Sequence, residues 1–256
     1  MEPAMTFKIL SPLALIASLI TMHHALYAIT AREIIDRAEN SMRGASSAGS
    51  YEITIKTRRW ERTLAMMSWD HRASRRSFTE ITAPGKDAGN RFLLIKRTMR
   101  QYVPKLQKDI RISPSMMMQS WMGSDFTNDD SVEQSSLIDD YIQRIAGSKM
   151  IDCADCNELE QLPRPGADVV WGKIMYYARK TDCLPAREEF YNERGVIKKV
   201  MTFSSYRTMH DRVIPTLMKM QSAGKDDRYT IMEIKNIRYN VAMPEHIFSL
   251  QHLKRR

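Results

Sequence analysis

Cysteine is scarce in this 256-residue chain, with three residues, at positions 153, 156 and 183. An odd set of three cannot form the dense disulfide framework that holds small secreted domains together. Cys153 and Cys156 make a single CxxC; with no second CxxC and only six histidines in the chain, neither a zinc site nor a thioredoxin-like centre is expected. In an oxidising compartment thiols pair, so a structural disulfide joining Cys183 to Cys153 or Cys156 is expected, its pairing open. Catalytic signatures are missing as well: there is no GxSxG elbow, HExxH or phosphate loop. The histidines beyond residue 28 (His71, His210, His246, His252) stand in no motif. The expectation is a protein that is not an enzyme and carries no cofactor and no metal. After residue 28 no apolar run approaches the roughly 20 residues needed to cross a bilayer as a helix. No Pro/Ser/Gly-rich linker divides the chain, so residues 29–256 are expected to form one domain.

The chain is basic, with 39 Lys and Arg against 30 Asp and Glu and a formal charge of +9. Lys8, the short apolar stretch Ile9–Ile20 and the small residue that ends Ala25-Leu26-Tyr27-Ala28 read as a secretory signal cleaved near Ala28. Its removal takes one base (Lys8) and one acid (Glu2), which leaves the charge unchanged. The basic residues are spread over several segments, as in Arg58, Arg59, Arg75, Arg76, Lys198 and Lys199. For an exported protein that distribution fits solvated strand faces or an anionic membrane surface, and no nucleic acid.

Thr30 and Glu33 form a capping-box pattern before Ile34, Ala38 and Met42, and Gly44 follows as a stop, which predicts a first helix. A second helix is predicted from about Ser131 to Ala146, with Leu137, Ile138, Tyr141, Ile142 and Ile145 on one stripe before Gly147. Most of the rest alternates with period two. Tyr51, Ile53 and Ile55 interleave with Glu52, Thr54 and Lys56, and similar runs cover 64–69, 78–82, 92–97, 171–180, 188–192, 197–203, 216–221 and 229–239. Turn sequences at 84–87, 165–168, 192–195 and 224–227 separate them. Strands joined by short turns pair antiparallel. The predicted fold is mainly β with a few helices: a strongly curved antiparallel sheet forming an open, incomplete barrel covered by helices.

Residues Met99 to Val132 break the alternation: MRQYVPKLQKDIRISPSMMMQSWMGSDFTNDDSV. The stretch places Tyr102 and Pro104 before a basic segment, then Ser113-Pro114-Ser115, three methionines, Trp121, Met122 and the polar run 123–130. It resembles the hallmark segment of the outer-membrane lipoprotein-sorting family, the LolA-like proteins of bacterial periplasms. Arg59 and Trp60, Pro84 before Lys86 and Gly89, and the ending Met243-Pro244-Glu245-His246-Ile247-Phe248-Ser249 extend the likeness over the mature chain. The resemblance implies a LolA/LolB-like open barrel of about eleven antiparallel strands, a periplasmic location, and a hollow that takes lipoprotein acyl chains or another lipid toward the outer membrane.

Acyl chains are flexible and featureless, and methionine thioethers adapt to such partners. All of the 19 methionines but Met1, Met5 and Met22 lie beyond the signal. Met116, Met117, Met118 and Met122, with Trp60, Tyr102, Trp121 and Phe126, are the candidate cavity or lid residues; ordinary core is the competing assignment. The acidic run Asp125–Asp130 lacks the spacing and central glycine of a calcium loop, and Asp129 or Asp130 is expected to cap the second helix instead. The expected partners are lipid or lipoprotein acyl chains and an inner- or outer-membrane protein. A lipid-sensing regulator of the RseB type, or an accessory protein of a membrane lipid exporter, is the alternative.

Overall fold

The structure, a computed structural model, describes residues 29–133 and 137–255. The expected signal, 1–28, lies outside the described residues. Helix α1 (Ala31–Arg43) is closed by both arms of the expected capping box: Glu33 N–H donates to Thr30 Oγ1 at 3.2 Å and Thr30 N–H to Glu33 Oε2 at 2.8 Å. Gly44 ends it at φ +63°.

Thirteen strands follow: β1 (Ser46–Lys56), β2 (Glu61–His71), β3 (Arg76–Ala83), β4 (Arg91–Ile95), β5 (Thr98–Val103), β6 (Lys108–Arg111), β7 (Tyr141–Ile151), β8 (Ala154–Pro163), β9 (Lys173–Arg179), β10 (Pro185–Tyr191), β11 (Ile197–Met209), β12 (Arg212–Ser222) and β13 (Tyr229–Tyr239). They form one antiparallel sheet in the order β6-β5-β4-β3-β2-β1-β13-β12-β11-β10-β9-β8-β7. Strands β6 and β7 remain as free edges, so the barrel is open. Thirteen strands replace the eleven implied by family resemblance. Four strands lie outside the nine runs read from sequence: β5, which buries only Met99, β6, which buries nothing, and the pair β7 and β8.

The second predicted helix is corrected. Only Asn128–Glu133 (α2) and Leu137–Asp140 (α3) are helical, and Tyr141 begins β7. The apolar stripe at helical spacing is not a buried face: Ile142 and Ile145 are about half exposed while Tyr141 is fully buried. Pairing with β8, with a bulge between Ile145 and Gly147, sets their orientation. No helix among the described residues is long and apolar enough to cross a membrane.

Three layers lie on the concave face. Helix α1 buries Ile34, Ile35 and Ala38 on Leu159, Tyr176, Ala178 and Cys183; full burial of each isoleucine contributes about 1.5–3 kcal/mol. Phe126, Leu137 and Tyr141 pack on β9–β13, and Trp121 on β1–β5. On the convex face, helix α4 (Leu250–Leu253) and Phe248 cover Phe78 and Leu93.

Candidate functional site

Pairing aligns the concave-facing residues of β1 to β5 in rows. Ile53 lies opposite Leu64; Tyr51 opposite Met66, which faces Ile81; Gly49 opposite Ser68, then Thr79 and Phe92; and Ser47 opposite Asp70, then Ser77, Leu94 and Met99. The first rows are apolar and the last ones polar on β1–β3, so the surface is graded along the strands. Gly49 is required where β1 bulges against β13: a Cβ there would stand 2.5 Å from the Asn236 carbonyl oxygen.

Above these rows sits a cavity of about 200 Å³. Its apolar wall comes from Ile53, Met66, Phe92, Leu94, Met99 and Met232, and Trp121 and Phe126 roof it. The Trp121 ring lies 5.1 Å from that of Phe92. The roof is a tight reversal in which Met122 (φ +51°) and Gly123 (φ +80°) take left-handed backbone, Trp121 N–H donates to the Phe126 carbonyl at 2.8 Å, and Arg62 holds the Met122 carbonyl at 2.8 Å.

The acidic run fastens this roof to the sheet. Asp125 accepts from Arg228 Nε at 2.9 Å, from Thr230 Oγ1 at 2.9 Å and from Ser222 Oγ at 3.2 Å. Asp130 accepts from Lys199 Nζ at 2.7 Å, with both side chains 8% exposed. It also accepts from Thr127 N–H at 2.6 Å while Thr127 Oγ1 accepts from Asp130 N–H, so Thr127 is the N-cap of α2 and Asp130 the reciprocal arm three residues in, in place of the Asp cap expected ahead of a helix from Ser131. Asp129 lines a separate, more polar cavity of about 500 Å³ with Arg97, Arg111 and Met117. Burial, and next the charge of Asp130, push the Asp129 carboxyl up to about 6.

At the polar end Arg43 forks onto Asp70 (Nε–Oδ2 3.0 Å, Nη2–Oδ1 2.8 Å) and approaches Glu39 at 3.5 Å. Burial pushes the Glu39 carboxyl and the Tyr51 hydroxyl up. Arg72 pairs with Asp36 of α1 at 2.7 Å, and Arg75 with Asp139 of α3. The charged groups Arg43, Asp70, Arg75 and Asp130 that line the hollow are thus engaged in ion pairs, and the rest of its lining is apolar at one end and hydroxyl-bearing at the other.

Of the residues singled out from sequence, Trp121 and Phe126 line the cavity. Met116, Met117 and Met122 are partly buried and pack against the cluster around Trp121 without lining the cavity. Met118 is 47% exposed. Trp60 is 48% exposed on the β1–β2 turn, away from the hollow. Tyr102 falls on the convex face, against Phe78, Leu93 and Phe248, because it has the opposite parity to Met99 on β5. The three cysteines are free thiols: Cys153 is exposed at the β7–β8 turn, and Cys156 and Cys183 are buried in clusters on opposite faces of the sheet, which keeps them from pairing. The wall methionines Met42, Met66, Met99 and Met232 were missed. Parity along β2 (Leu64, Met66, Ser68, Asp70) carried a signal for one of them.

A family model described only as "uncharacterized protein" matches residues 73–255. The chain belongs to that family. A comparison with curated proteins found no match. Among solved structures, the chain is similar to a DUF1329 family protein from Desulfovibrio piger, at 20% identity and TM-score 0.80, with 87% of this chain and 97% of that one covered. It is also similar to a protein from Vibrio parahaemolyticus described as an outer membrane lipoprotein-sorting protein domain, at 22% identity and TM-score 0.76, covering 88% and 98%. A LolA superfamily protein from Nitrosomonas europaea matches at 20% identity and TM-score 0.74, covering 88% and 100%. The fold is therefore LolA-like, with the open half-barrel expected from the Met99–Val132 stretch.

Proposed function

We propose that this LolA-like protein is a periplasmic carrier that shelters the acyl part of a lipid or a lipidated protein and passes it toward the outer membrane. The observation that carries this reading is the graded hollow: an apolar wall and roof at one end, polar groups already paired at the other. Residues 1–28 then serve as the export signal, and 29–256 act as one unit.

The cavity of about 200 Å³ is smaller than the roughly 300–1,000 Å³ of ordinary ligand pockets. A long acyl chain therefore enters only as the Trp121–Phe126 roof lifts. Burying about twelve methylenes, at about 0.8 kcal/mol each, supplies on the order of 10 kcal/mol for that displacement and for ordering the chain. Release requires an acceptor that competes for the chain, the role assigned here to a membrane protein partner.

Native mass spectrometry of the protein isolated from its own periplasm is expected to reveal a bound amphiphile, and the ligand-free protein is expected to take up a fluorescent fatty acid. Filling the wall with Met232→Trp is expected to abolish uptake. Ligand-free protein in every preparation, together with no probe uptake, would remove the carrier reading.

A further inference from the structure

Three successive hairpin turns lie side by side at one end of the sheet: residues 57–60 between β1 and β2, 84–90 between β3 and β4, and 104–107 between β5 and β6. Strand spacing sets the outer two about 20 Å apart. The turns are tied together. Arg62 approaches Asp87 at 4.0 Å, and Gly89 sits so close to Pro104 that a Cβ would stand 3.3 Å from its ring.

These three turns carry six exposed bases, Lys56, Arg58, Arg59, Lys86, Lys105 and Lys108, against one exposed acid, Glu61; the β12–β13 turn, beside the first of them, adds exposed Lys225, Asp226 and Asp227. The three also bear two bare apolar tips, Trp60 at 48% and Leu106 at 60% exposure. Single exposed apolar residues are ordinary; two at the tips of neighbouring turns, ringed by cations, are not. The Trp60 turn is held rigid by its own backbone. Thr57 N–H and Thr57 Oγ1 both donate to the Trp60 carbonyl at 2.9 Å, and Thr57 Oγ1 accepts from Trp60 N–H at 3.1 Å. The indole is therefore presented to solvent with little ordering left to lose.

We infer that this end of the half-barrel docks on an anionic bilayer surface, with Trp60 and Leu106 seated at headgroup depth and the six bases over the lipid charge. An indole prefers that depth, and cations gain from the surface potential. Two protruding tips so far apart fit a planar, fluid surface, whereas a folded partner would have to offer two matching pockets. The apolar rows of the hollow, Ile53 and Ile55 on β1 and Leu64 on β2, run into this same end. Docking there brings the apolar mouth to the lipid and keeps the ion-paired end in water. This surface stands on its own geometry, apart from the carrier reading.

Co-sedimentation of the full chain with vesicles tests it. Vesicles of phosphatidylcholine with phosphatidylglycerol are expected to bind and phosphatidylcholine alone to bind far more weakly, with affinity falling as salt rises. At roughly one kcal/mol per base near the surface, Arg58→Gln with Arg59→Gln is expected to weaken binding about thirtyfold. Trp60→Ala is expected to weaken binding while leaving its salt dependence in place, and the blue shift of tryptophan emission on adding vesicles is expected to vanish in Trp60→Phe. Fatty-acid uptake in solution is expected to be unchanged in all of these variants. Equal binding to both vesicle types, an unaffected double variant, or capture of an acidic protein through these arginines with vesicles ignored would overturn the inference.

Discussion

Replacing Lys199 with methionine is expected to unfasten the roof of the hollow. Lys199 and Asp130 meet at 2.7 Å with both side chains 8% exposed, so water screens the pair little. Methionine retains most of the alkyl volume beside Trp171, which the ammonium faces at 5.2 Å from the ring centre, so cavity formation adds little. What remains is an isolated buried carboxylate whose Oδ2 accepts one backbone N–H and whose Oδ1 has no partner. Removing one member of such a pair costs roughly 3–5 kcal/mol. For a domain of this size that is a fall of about 6–20 °C in melting temperature. Lys199→Met with Asp130→Asn removes the orphaned charge and keeps an acceptor for Thr127, so most of the loss should return. Urea unfolding of the wild type, both single variants and the double variant yields the coupling energy, expected to be at least about 2 kcal/mol. Additive single and double effects, or a Lys199→Met loss under about 1 kcal/mol, would refute the claim that this pair fastens the roof.

Folding raises the Asp129 carboxyl from its ordinary 3.8 to about 6. The folded chain thus holds a proton that the unfolded chain gives up. Asp129 opposes folding fully above pH 6, and the penalty fades as pH falls toward 4. Asp129→Asn is accordingly expected to raise the melting temperature at pH 8 and to make little difference near pH 4; the same gain at both values would contradict the assignment. Gly49→Ala drives a methyl to 2.5 Å from the Asn236 carbonyl and is expected to destabilise by about 1–3 kcal/mol in denaturant melts. Mild alkylation is expected to mark Cys153 alone, with Cys156 and Cys183 labelling once the chain is denatured; a Cys156–Cys183 linked peptide in a non-reducing digest would count against the two-faced arrangement of these thiols.

How much of the fold could be read from sequence follows from how many faces each strand buries. In β1, Ile53 and Ile55 are buried while Thr54 and Lys56 face outward, so period two is written in the residues. The edge strand β7 has only β8 beside it and leaves Ile142, Ile145 and Met150 exposed. Its apolar residues obey no burial rule, and their chance spacing of three and four imitates a helix. Short β6 buries no side chain and offers no pattern at all. The capping box of α1 was legible because it is entirely local.

The hollow was hard to see for the opposite reason: it takes one or two residues from each strand. Met66, Met99 and Met232 are far apart in sequence and adjoin only once the register is set, whereas Met116, Met117 and Met122 are conspicuous because they are neighbours. Consecutive residues cannot all face one cavity. In the turn-rich segment 112–127 they instead surround Trp121, which reaches the space together with Phe126. That placement gives the methionines a role the sequence could not assign. On the proposed carrier role, a roof that rises over a chain longer than a 200 Å³ cavity admits would need packing behind it that can rearrange without a large loss of contact. Unbranched thioether side chains provide that. On that proposal the polar latches at Asp125 and Asp130 would fix where the roof returns, and the soft layer around Trp121 would let it leave.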